Sequence, residues 1–73
     1  MEFNGGHVPT GMEVHTVTFG DELGVEELDV LVPLRSSDAA IRVAAQSILD
    51  ADYQPGLKIV AVEPFAGITV WEA

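Results

Sequence analysis

Few side chains in this 73-residue sequence have the types and spacing to do chemistry. His7 and His15 are its only imidazoles, Ser36, Ser37 and Ser47 its only serines, and it has no cysteine. His15 lies two residues after Glu13, a spacing that in a strand puts both on one face, where a carboxylate can orient a general base. No serine stands in the glycine-flanked elbow of a hydrolase, so the base has no companion nucleophile. His7, Glu13 and His15 offer nitrogen and oxygen ligands to zinc if the segment carrying His7 folds back, but their spacing fits no zinc motif. The expectation is a protein that is not an enzyme, with no cofactor and no bound metal.

A denser feature is "GDELGVEELD" (20–29), which holds Asp21, Glu22, Glu26, Glu27 and Asp29 and no base. An EF-hand loop alternates its ligands about a central glycine and closes on a twelfth-position glutamate; here the acids come in adjacent pairs that point different ways. Nor is there a phosphate cradle. "GGHVPTG" (5–11) lacks the P-loop lysine and does not open a helix, and Asp38 would repel an anion from the helix start near Ser36. Two readings of the acidic run remain: a solvated turn, or a lure for a positively charged partner.

Composition sharpens that choice. Twelve acids against three bases give a net charge of −9, with seven of the acids and none of the bases in residues 1–34. Nucleic-acid backbones and anionic membranes are excluded as direct partners, because binding either requires Lys and Arg. A basic protein surface is what such a field attracts. The 48% hydrophobic content is too high for a disordered chain. A chain this short buries only about 60% of its unfolded surface, and without disulfides its core must suffice. The longest apolar runs, such as "VLVPL" (30–34), fall far short of a bilayer span. No basic region and apolar run follow Met1, so a cytoplasmic protein is expected.

The elements that would position these residues can be read from periodicity. Residues 1–11, with three glycines and a proline, read as a loose N-terminal arm, leaving 12–73 as a single domain. "MEVHTVTFG" (12–20) and "LDVLVPLR" (28–35) alternate with period two and predict strands, joined by the acidic run as a loop. Pro33 puts the second of these at a sheet edge or a bulge. Residues 36–53 predict the one long helix, capped at Ser36 or Ser37 and stopped by Pro55-Gly56, with Ile41, Ala44, Ala45, Ile48 and Leu49 as its apolar stripe. "LKIVAV" (57–62) and "ITVWE" (68–72) predict two more strands, read as a hairpin about Pro64–Gly67. The order β-β-α-β-β implies an α+β fold, a mainly antiparallel sheet with one helix packed on one face.

One helix leaves the other sheet face to solvent or to a partner. Simple alternation puts Val14, Thr16, Thr18, Leu31, Val60, Val62, Thr69 and Trp71 there, with Val60, Val62, Thr69 and Trp71 as the docking or dimer surface. The expected function is a small acidic interaction module of the phage or mobile-element inhibitor type. Its carboxylates Asp21, Glu22, Glu26, Glu27 and Asp29 would mimic nucleic-acid phosphates and block the basic surface of a partner protein. The alternative is an assembly subunit that forms a homodimer through the outer sheet face.

Overall fold

The computed structural model describes residues 1–67 and the backbone of residues 70 and 71. In chain order its elements are β1 (His7–Val8), β2 (Met12–Asp21), β3 (Gly24–Pro33), α1 (Asp38–Asp52), β4 (Lys58–Pro64) and β5 (Val70–Trp71). Strands β3, β2 and β4 form an antiparallel sheet in that spatial order, while β1 and β5 pair in parallel as a separate ribbon. The expected α+β architecture is present, with α1 on one sheet face. Among the described residues no helix is long and apolar enough to cross a membrane.

The helix forms where its stripe predicts. Ser37 caps it, its hydroxyl oxygen accepting from the Ala40 N–H at 3.1 Å. Ser36 instead closes the preceding turn by donating its hydroxyl to the Pro33 carbonyl. Ile41, Ala45, Ile48 and Leu49 are buried, with Ala44 packed beside them, against Val17, Phe19, Leu28, Val30 and Val32 of the sheet. Asp38 and Arg42 pair on the exposed side at 2.6 Å. Pro33 ends β3 on a sheet edge, where its missing N–H costs no ladder bond.

Two expectations about connections are corrected. The acidic run is not a loop: β3 begins at Gly24, so β2 and β3 are joined by Glu22 and Leu23 alone. Residues 24–27 are all exposed, so this end of the strand is held by pairing rather than burial and leaves no apolar period to read. Gly20 is required by this close pairing, because a Cβ there would collide with the Gly24 carbonyl. The second hairpin is also not seen among the described residues, where β5 pairs with β1 and not with β4. Residues 68, 69, 72 and 73 and the side chains of Val70 and Trp71 lie outside the described residues.

The N-terminal arm, expected to be loose, is docked. Leu31 N–H donates to the Met1 carbonyl and Phe3 N–H to the Asp29 carbonyl, each at 2.7 Å, so residues 1–3 line the outer edge of β3. Gly5 and Gly6, both at φ +91°, then turn the chain across the sheet. Phe3 and Val8 are buried with Val14 and Leu31 in a second cluster, on the face opposite the helix. Phe65 joins it, edge-on to Phe3 with ring centroids 5.7 Å apart. The cause is simple: Val14 and Leu31 need cover that α1 cannot reach.

A bulge inverts the expected faces of β4. Phe19 pairs with Ile59 but Thr18 pairs with Ala61, so Val60 is an extra residue. Beyond it the alternation is reversed. Val62, opposite Val17, packs toward the helix-side core with Ile59, while Ala61 turns to the other face beside Thr18. The outer apolar platform expected from simple alternation is thereby dismantled: Val62 faces inward, and Val14 and Leu31 lie under the arm.

Two substitutions test these packings. Ala45→Asp puts an unpaired carboxylate at a site with no exposure and is expected to cost at least about 3 kcal/mol, enough to abolish the cooperative thermal transition of so small a domain. Phe3→Ala is expected to cost about 2–4 kcal/mol in chemical denaturation and to make residues 1–8 protease-sensitive. A loose arm would show neither effect.

Candidate functional site

The paired strands separate the five carboxylates of the acidic run instead of clustering them. Glu22 stands exposed in the two-residue turn. Asp21 folds back on that turn, its Oδ1 accepting from Leu23 N–H at 2.9 Å and its Oδ2 from the Gln54 amide at 3.3 Å. Glu26 pairs opposite Phe19, on the helix side of the sheet. Glu27 and Asp29 pair opposite Thr18 and Thr16, on the other side. Asp29 accepts the Thr16 hydroxyl at 2.8 Å.

The tertiary structure adds acids that local sequence did not associate with this run. Helix α1 ends beside the hairpin, and Tyr53, its C-cap, is the hub. Its ring meets Phe19 edge-on at 5.4 Å, and its hydroxyl donates to Glu2 Oε2 at 3.3 Å. Burial, then the Glu2 carboxylate through charge and hydrogen bond, then Glu26 and Asp52, push the Tyr53 phenol above its ordinary range. Glu2, Glu26 and Asp52 therefore act on one phenol, and the neighbouring Gln54 holds Asp21. A signal for Asp52 was present in the sequence. Asp50 and Asp52 occupy the last turn of a helix, where the dipole disfavours negative charge, and no base is there.

At this same end the sheet face away from the helix is indented. Val25, Gly20 and Lys58 lie in one row across β3, β2 and β4. With no side chain at the middle position, a groove of about 780 Å³ opens between the hairpin tip and the 55–60 segment. Leu23, Val25 and Val60 border it, and they are 94%, 64% and 62% exposed. Val60 faces outward as simple alternation expects, and the bulge reverses the faces only beyond it. Of the other residues expected on a docking surface, Val62 packs inward, whereas Thr69 and the Trp71 side chain lie outside the described residues.

The residues that could do chemistry are placed apart. His15 lies on the helix face with Nε2 3.4 Å from Glu13 Oε1 and with no hydrogen-bond partner. The arm does fold back, but onto the opposite face, so exposed His7 does not join them. Among the described residues no three potential ligands converge on a metal position. Ser36 and Ser37 are engaged in the turn and cap, and Ser47 is exposed on the helix.

No family model matches this chain, and neither a curated protein nor a solved structure matches it.

The environment of Tyr53 yields a pH prediction. Its folded pKa is raised, so the fold favours the protonated phenol. That contribution is complete below about pH 10 and is lost as pH rises through the folded value. Tyr53 is the only tyrosine, so absorbance titration reads it alone and is expected to show delayed ionisation. Tyr53→Phe, which keeps the contact with Phe19, is expected to cost no more than about 1 kcal/mol at neutral pH and to remove this part of the alkaline destabilisation.

Proposed function

We propose that this chain is a small acidic interaction module, without catalytic activity of its own, that docks its hairpin end on the basic surface of a partner protein. The observation that carries the reading is the convergence of Glu2, Glu26 and Asp52 on Tyr53 at the helix C-terminus, with Asp21 of the hairpin held by the adjacent Gln54. Stability does not call for this arrangement. Like charges brought together repel, and acids in a last helical turn each cost about 0.3–1 kcal/mol. A field concentrated at one end steers a cationic partner and speeds encounter. The partner class with the most extended basic surface is the nucleic-acid-binding proteins, whose phosphate sites these carboxylates would occupy in an inhibitor of the phage or mobile-element type. On this reading the protein acts in the cytoplasm and binds no nucleic acid itself.

The alternative, a homodimer through the outer sheet face, retains little surface among the described residues. Val62 faces the helix core, the arm covers Val14 and Leu31, and Val60 remains exposed. Salt separates the two readings, since a charge-led complex dissociates as ionic strength rises and an apolar dimer does not.

The test is capture from host lysate at low and high salt, with duplex DNA as competitor, by the wild type and by the triple variant Glu22→Gln, Glu26→Gln, Glu27→Gln. The variant is expected to melt at the same temperature or slightly higher. It should associate with the captured partner about tenfold more slowly at low salt. Undiminished association would end this reading.

A further inference from the structure

The groove over Gly20 names what the partner must present. From its geometry we infer that it seats one aliphatic or aromatic side chain of a basic partner segment, with that segment's Arg or Lys residues directed to Asp21 and Glu22. This rests on the acidic-module reading and adds to it a position and a chemistry. Three observations combine. Leu23, Val25 and Val60 are large apolar side chains left exposed around one depression, whereas the other exposed large apolar side chains of the described residues, Met1, Leu34 and Val43, do not border it. The depression has a structural cause, a glycine between Val25 and Lys58 that the hairpin does not allow to be replaced by a larger residue. Its hairpin bank carries Asp21 and Glu22, so a ligand both apolar and cationic is complementary to it, and a purely anionic one is not.

Lys58 on the opposite bank gives the site a direction. A basic segment must keep its cations away from Lys58 and toward the hairpin, with the apolar side chain between the banks. Lys58 thus weakens a wholly basic ligand and favours one whose charge lies on one side of its anchor.

The probes are two short peptides of alternating arginine and serine, one with a central leucine and one with serine in its place. Each is titrated into the isotope-labelled full chain at low salt and followed by amide chemical shifts. The leucine peptide is expected to bind at least about tenfold tighter, the effect of burying one aliphatic side chain, with shifts at Gly20, Leu23, Val25 and Val60. Leu23→Ser combined with Val25→Thr changes exposed positions, so the fold should persist while the advantage of leucine disappears. Lys58→Gln should tighten both peptides. Equal affinity of the two peptides, no binding of either, or shifts that avoid the groove would each overturn the inference. The acidic-module reading is judged separately. Equal binding that is lost in salt supports that reading without the groove. A leucine preference in which neither peptide's affinity is weakened by the triple Glu→Gln change supports the groove and overturns the charge-led reading.

Discussion

Strand β2 carries apolar side chains on both faces, Val17 and Phe19 on one and Val14 on the other, and one fifteen-residue helix can cover only the first. The remainder of the fold answers that constraint. Among the described residues there is no second helix, and the first eight residues serve as the other layer, pairing with the β3 edge and then setting Phe3 and Val8 over Val14 and Leu31. Docking the arm also blunts one open edge of the sheet, which an exposed strand would otherwise offer to other chains. The two clusters share the same strands, so helix side and arm side are expected to lose order together.

The bulge at Val60 has effects out of proportion to one residue. It lets Ile59 and Val62 both face the helix, filling the core beside Phe19 and Val17, where strict alternation would have turned Val62 to solvent. Val60 itself stays outward beside the hairpin tip. One irregularity thus completes the core and borders the groove, linking packing to the surface on which recognition is proposed.

Charge is distributed with little regard for stability. Asp38 at the helix start and its pair with Arg42 follow the dipole, but the other end of α1 carries Asp50 and Asp52 against it, next to the hairpin acids and Glu2. Tyr53 and Gln54 make this crowding tolerable by supplying hydrogen-bond donors to Glu2 and Asp21. Donors without positive charge hold the carboxylates in place and leave their field intact, as the proposed docking on a cationic partner would require.

Sequence alone determined the helix, its cap and its buried stripe, because Ile41, Ala45, Ile48 and Leu49 recur with a period that only a helix aligns. It determined the cores of strands β2 to β4, the edge position of Pro33 and the α+β class, since alternation and turn residues act locally. Tertiary structure decided the rest. Phe3 and Val8 are isolated apolar residues among glycines, and nothing local told them apart from a loose tail; their burial depends on Val14 and Leu31 across the sheet. The bulge depends on the register between β2 and β4, so the facing of Ala61 and Val62 was not legible in β4 itself. The acids of the hairpin were visible as a run, but strand pairing sent Glu26 to one face and Glu27 and Asp29 to the other. Glu2 joined the helix end through its hydrogen bond with Tyr53, 51 residues away, and Asp52 came beside the hairpin strands because Tyr53 packs on Phe19. Periodicity reports what each segment must hide, whereas which distant segment hides it, and which charges meet as a result, is set when the layers pack.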